Sequence, residues 1–195
     1  MSHLPQFTRQ VVDWTPWIET IDETDAADDQ RAIVNEIVGS RTTGRTYWAT
    51  LAHDADVLRH RHDLFPETLR DKQEEGGSPR SDLELSAVAV SKLTGCVYCA
   101  SVHARAYHQL TGNTELIDAV LRDGEDADLP AREAALVAFS AKLADAPSQI
   151  TGRDLEPLRD AGYSDLEVFD IAHASAMFAW ANRLLLTLGS QSVTD

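Results

Sequence analysis

Apolar residues recur at three- and four-residue spacing along most of the chain, in runs opened by small polar residues and closed by glycine. Residues 25–38 predict a helix with Ile33, Val34, Ile37 and Val38 inward, stopped by Gly39, followed by a loop at 41–45. A short helix over 47–52 precedes one capped by Asp54, with Val57, Leu58, Leu64, Phe65 and Leu69 expected to be buried. The polar, glycine-containing stretch 72–80 reads as an exposed loop. Ser81-Asp82-Leu83-Glu84 then matches a capping box, and the run from Leu85 to Leu93 is apolar nearly all round, as a buried helix requires.

Beyond the Thr94-Gly95 break, 96–110 predicts a helix stopped by Gly112. Asn113-Thr114 starts the next, with Leu116, Ile117, Val120 and Leu121 inward, ended by Gly124. Pro130 suits the first position of a helix to about Ala144 carrying Leu136, Val137, Phe139 and Leu143. Thr151 with Asp154 caps a further helix ended by Gly162. A second Ser-Asp-Leu-Glu string at 164–167 opens the last helix, to Leu188, whose mixed apolar faces suggest burial on more than one side. No segment alternates for long enough to predict a strand. The expectation is an all-α, compact bundle of seven or eight helices. Residues 2–24 have no clear period, yet Phe7, Val11, Val12, Trp14, Trp17 and Ile18 make them too apolar for a free tail. They read as an arm packed on the body or on a neighbouring subunit. The division expected is 1–46 for arm and first helix and 47–195 for the main helical domain.

Composition narrows the function. At 195 residues and 43% apolar content the chain can bury a core. A net charge of -15 argues against nucleic acid and anionic membranes as partners. No apolar run is long enough to span a bilayer, and residues 1–10 lack a signal-peptide pattern, so a cytoplasmic protein is expected. His53, His60 and His62 resemble a metal cluster, but the last two are two residues apart and point about 200° from each other on a helix. They read as surface residues.

Candidate chemistry concentrates in Gly95-Cys96-Val97-Tyr98-Cys99-Ala100-Ser101-Val102-His103, which holds both cysteines. Cys96 should open a helix, with Cys99 in its first turn and His103 on the same face. Helix N-termini stabilise thiolates, and a C-x-x-C pair in such a place often has lowered thiol pKa. The plainer alternatives are two small core residues, or a static disulfide closing a very short loop. In a reducing compartment C-x-x-C points instead to redox use. His103 lies four residues from Cys99 and seven from Cys96, so proton sharing favours Cys99.

From about Tyr47 to Gly189 the chain resembles the alkylhydroperoxidase D-like superfamily, which includes the carboxymuconolactone decarboxylases. The resemblance rests on Glu84 followed at a distance by Cys96-x-x-Cys99-x-x-x-His103, and on the helix Ala87–Gly95 leading into that turn. It implies an all-α fold that assembles as trimers or as hexamers built from dimers. It also implies thiol peroxidase chemistry on hydroperoxides, with an external dithiol or protein reductant and no cofactor or metal. Cys99 would attack the peroxide, Cys96 would resolve the sulfenic acid, and Glu84 and His103 would relay protons. Tyr98 stands where the best-known peroxidases have a second histidine. The decarboxylase branch normally lacks the C-x-x-C pair, which makes decarboxylation the lesser expectation. In one continuous helix Glu84 would lie ~18 Å from Cys96, so a relay needs the chain to bend at Thr94-Gly95, or a water or second subunit to intervene. Two other functions fit the same residues: a metal-binding module using Cys96, Cys99, His103 and Glu84, or a non-catalytic oligomeric scaffold.

Overall fold

Nine α-helices and a two-stranded ribbon follow one another among the described residues. They are β1 (Val12–Pro16), α1 (Asp28–Val38), α2 (Arg45–Leu51), α3 (Ala55–Thr68), α4 (Arg80–Thr94), α5 (Val97–Thr111), α6 (Thr114–Asp123), α7 (Ala131–Asp145), α8 (Glu156–Asp160), α9 (Asp165–Leu188) and β2 (Gly189–Val193). The structure, a computed structural model, describes residues 6–22, 24–39 and 44–193. Most of the expected 41–45 loop lies outside the described residues. The fold is all-α as expected, with short α2 and α8 added to seven longer helices.

α4 is the axis of the bundle. It packs on α5, α7 and α9, and every residue from Leu83 to Ser91 is buried. A helix surrounded in this way must satisfy its polar side chains from its neighbours. Ser86 Oγ lies 2.8 Å from Ser175 Oγ on α9 and accepts from Ser140 Oγ on α7 at 3.2 Å. Asn182 Nδ2 on α9 donates to Ser91 Oγ at 3.1 Å and to Thr94 Oγ1 at 2.9 Å. The main core lies on the α5, α6 and α7 side of this axis, around Leu85, Val88, Ile117, Leu136 and Ile171.

Several local expectations hold. Asp54 caps α3 by accepting from Val57 N, Asn113 caps α6 by accepting from Leu116 N, and Ser164 with Glu167 forms a true capping box on α9. Others fail. Ser81 is no N-cap: Pro79 holds that position and α4 has already begun at Arg80, which frees Glu84 to turn into the core. Pro130 likewise precedes its helix as N-cap. Val57 and Leu64 are exposed; the inward face of α3 carries Leu58, Arg61 and Thr68 instead. Leu93, at the end of the buried run, is 39% exposed.

The largest departure is the ribbon, where no strand was expected. β1 pairs antiparallel with β2, Val12 opposite Val193, Trp14 opposite Gln191 and Pro16 opposite Gly189. Its inward residues, Val12 and Trp14, are too few to display a period, and β2 is polar. The described part of the arm therefore packs on the body of its own chain. Trp14 Nε1 donates to the Leu185 carbonyl at 3.0 Å, Arg9 forms a bidentate pair with Asp118, and Arg105 donates to the Arg9 and Gln10 carbonyls.

Gly189 sits where α9 gives way to β2, in extended backbone that any residue adopts. The constraint there is space: a Cβ would lie 2.5 Å from the Thr15 carbonyl oxygen and closer still to the Trp14 indole. Gly189→Ala is therefore expected to cost about 1–3 kcal/mol through overpacking. Urea denaturation should show a lower midpoint; an unchanged midpoint would mean that the ribbon is not closely packed.

Candidate active site

The site is built where α4 turns back as α5. Gly95 ends α4 at φ 85, a left-handed conformation that costs glycine little. Cys96 follows as the N-cap of α5 without offering its side chain to the helix. The cap comes from the far end of the chain. Gln191 on β2 accepts from Tyr98 N at 2.7 Å and donates to the Gly95 carbonyl at 3.5 Å. Trp14 and Tyr47 close over the same turn, with Cys96, Cys99 and Leu185 in one apolar cluster and the two rings edge to face at 5.3 Å. The ribbon is thus the roof and the N-terminal anchor of the cysteine turn.

The reversal at Gly95 lays α5 against α4 and brings Glu84 into direct contact with His103. Glu84 is 1% exposed. Its Oε2 lies 2.6 Å from His103 Nδ1, and its Oε1 accepts from Arg80 Nε at 3.1 Å. Burial raises the Glu84 pKa, but the hydrogen bonds and charges of His103 and Arg80 outweigh it, so the carboxyl is held below its ordinary value. An ionised carboxylate only accepts, so His103 Nδ1 carries the proton and donates it. In the neutral ring Nε2 is then the basic nitrogen, the arrangement that a general base requires. The ring is held edge to face against Phe178 at 4.3 Å.

Cys96 and Cys99 are both free thiols and both buried, at 0% and 5% exposure. They differ in access. A cavity of about 220 Å³ opens onto Cys99 and His103, walled by Trp48, Arg61, Phe65 and Phe178; Cys96 does not line it. Wider, more open grooves lie under the arm and beside α2, away from the cysteines. The neighbouring Cys96 thiol and loss of water push the Cys99 thiol well above its ordinary value, while the Arg61 guanidinium pulls it down. The thiol pKa lowering expected from the helix start is overridden at Cys99. Burial raises the Tyr98 phenol too, so it stays protonated near neutral pH and cannot replace a histidine as base.

The four residues singled out by sequence thus form two contacts around one turn: Glu84 with His103, and Cys96 with Cys99. Among the described residues no three His, Cys, Asp or Glu side chains are gathered closely enough to hold a metal ion. His53 is exposed and meets the Glu19 carbonyl, and His60 is exposed. Sequence reasoning missed Arg61. The available signal was its place on α3, three residues after Leu58 and four before Phe65, which is the apolar face of that helix.

Residues 63–142, which hold Glu84, both cysteines and His103, match the carboxymuconolactone decarboxylase family. The fold is similar to the crystal structure of an alkylhydroperoxidase AhpD core, an uncharacterized peroxidase-related protein from Ralstonia eutropha JMP134. That likeness has a TM-score of 0.74 at 26% identity and covers 89% of this chain and 90% of that one. The family match over residues 63–142 and the fold together support the AhpD-like/carboxymuconolactone decarboxylase superfamily. A second similar structure is that of an uncharacterized peroxidase-related protein from Silicibacter sp. TM1040, with a TM-score of 0.69 at 25% identity over 89% of this chain and 91% of that one. No curated protein matches the chain in sequence. Among the described residues no helix of this AhpD-like chain is long and apolar enough to cross a membrane.

The lowered Glu84 pKa has a definite sign in stability. The native state binds fewer protons than the unfolded chain in the acidic range. The contribution is therefore complete above the ordinary glutamate value, about 4.3, and is lost as pH falls through the lower native one. Glu84→Gln should remove that term, flattening the acid limb of stability against pH. At pH 7 it should cost about 1–3 kcal/mol by disturbing a buried charged hydrogen bond. Chemical denaturation of both proteins across the acid range checks this; parallel acid limbs would show that Glu84 is not held ionised.

Proposed function

We propose that this protein is a thiol-dependent peroxidase that reduces hydroperoxides through the Cys96–Cys99 pair, with Glu84 and His103 as the proton relay. The observation that carries this reading is the asymmetry of access: the cavity reaches Cys99 and His103 but stops short of Cys96. A peroxide entering there meets the thiol that has a base one turn away. A relay is needed because the buried Cys99 thiol does not ionise readily by itself.

His103 Nε2 takes the Cys99 proton, and Glu84, accepting at Nδ1, stabilises the imidazolium that results. The thiolate attacks the terminal peroxide oxygen. The S–O bond forms, the O–O bond breaks, and the alcohol leaves with a proton returned by His103, so that Cys99 becomes a sulfenic acid. The Cys96 thiol then condenses with it, releasing water and forming a disulfide. An external dithiol or protein reductant restores both thiols by exchange, which suits a cytoplasmic setting. The metal-binding reading finds less support, since Glu84 is engaged by Arg80 and His103 rather than by the thiols. Homo-oligomerisation belongs to this proposal as well, supported by the exposed Leu166, Phe169 and Trp180 on α9 and Val57 and Leu64 on α3.

The test is dimedone labelling and peroxide consumption in each single variant. Cys99→Ser should abolish consumption even in a single turnover. Cys96→Ser should be oxidised once, giving a trappable sulfenic acid on Cys99 without turnover. His103→Ala should slow the first step by about 10²–10⁴-fold at neutral pH, with recovery as pH rises. Label on Cys96 in Cys99→Ser, with none on Cys99 in Cys96→Ser, would reverse the assignment. No peroxide consumption by the unaltered protein with any of several dithiols would overturn the peroxidase reading. Light scattering at micromolar concentration should give a mass well above the 21.4 kDa of one chain.

A further inference from the structure

Arg61 projects from α3 to the same cavity as Cys99 and is 6% exposed. Its Nη2 donates to the Tyr47 hydroxyl at 3.2 Å, but Nε and Nη1 have no hydrogen-bond partner among the described residues. Its guanidinium carbon lies 4.1 Å from the Phe65 ring centroid, 4.8 Å from that of Trp48, and 5.6 and 5.7 Å from those of Tyr47 and Trp180. Aromatic faces attract the cation, yet they supply no oxygen acceptor for the two idle N–H groups. Among the described residues no carboxylate lines the cavity. A guanidinium stays charged at any ordinary pH, so this is a buried positive charge without an anion among the described residues. Burial pulls its pKa down, and the opposing effects come from Tyr47 and Cys99 alone.

A buried cation with open donors, caged by rings in a space too small for most ligands, is built to receive an anion on a compact apolar body. We propose that Arg61 is the anion-binding residue of the Cys99 cavity, and that the cavity takes small organic molecules carrying a carboxylate. Nε and Nη1 hydrogen-bond the carboxylate while Phe65, Trp48 and Phe178 pack on the apolar part. For the proposed reaction, the substrate class becomes small hydroperoxides that bear a carboxylate, held beside the Cys99 thiol. That extension rests on the peroxidase reading; the binding itself does not.

Benzoate and its neutral isostere benzamide are suitable probes, titrated calorimetrically into the reduced protein without peroxide. Benzoate should bind saturably and at least about tenfold more tightly than benzamide, the margin of a hydrogen bond to a charged group. It should also slow alkylation of Cys99 by iodoacetamide. Arg61→Met should lose the preference and Arg61→Lys should keep part of it. Equal affinity for the two probes in the unaltered protein would overturn the proposal, as would a preference that survives in a folded Arg61→Met. The comparison in the unaltered protein decides the question even if Arg61→Met does not fold. Binding without peroxide turnover would leave Arg61 as an anion site and remove the peroxidase reading; turnover without a benzoate preference would do the reverse.

Discussion

The constraint on which this structure depends is the burial of the Glu84 carboxylate. An ionised carboxylate in the interior of a helical bundle is unstable unless its oxygens are filled. Here each oxygen has a nitrogen donor, one from its own helix and one from α5. That second donor, His103, fixes how α5 lies on α4, and so where the cysteine turn points. Structure and chemistry share the interaction: the hydrogen bond that keeps the carboxylate soluble in the core also selects the tautomer that leaves His103 with a basic nitrogen.

Around this pair the remaining elements act as walls. The ribbon supplies Trp14 as roof and Gln191 as cap, so the two ends of the chain meet over its central turn. α2 and α3 add the aromatic wall and Arg61, and α9 adds Phe178. The neighbouring Cys96 thiol and burial raise the cost of forming a thiolate at Cys99, and the nearby Arg61 cation lowers it.

Much of the scaffold was legible from periodicity because helix formation is local. Side chains three and four apart report one face, and glycine and capping residues mark the ends, as at Asn113, Gly124 and Ser164. The α4 axis was legible as a run apolar on all sides. The ribbon was not, because its strands are short, one is polar, and their pairing joins opposite ends of the chain. Exposed Val57 and Leu64 and buried Arg61 share a cause: the inward face of α3 is chosen by what packs on it, and an arginine surrounded by aromatic rings competes with aliphatic residues for that face.

The string Ser-Asp-Leu-Glu, which occurs twice, shows where the division falls. At 164–167 it does what the local pattern dictates: serine caps, glutamate reaches back, and a helix begins. At 81–84 the helix has already begun at Arg80, and the glutamate turns inward to His103. By itself the sequence determined the helices, the break at Gly95 and the spacing of Cys96, Cys99 and His103, since these follow from backbone preferences and side-chain period over a few residues. Only the tertiary structure decided which glutamate is a cap and which is buried against a histidine, which cysteine faces the cavity, and that Arg61 stands beside it. Those outcomes turn on burial and on partners supplied by distant helices.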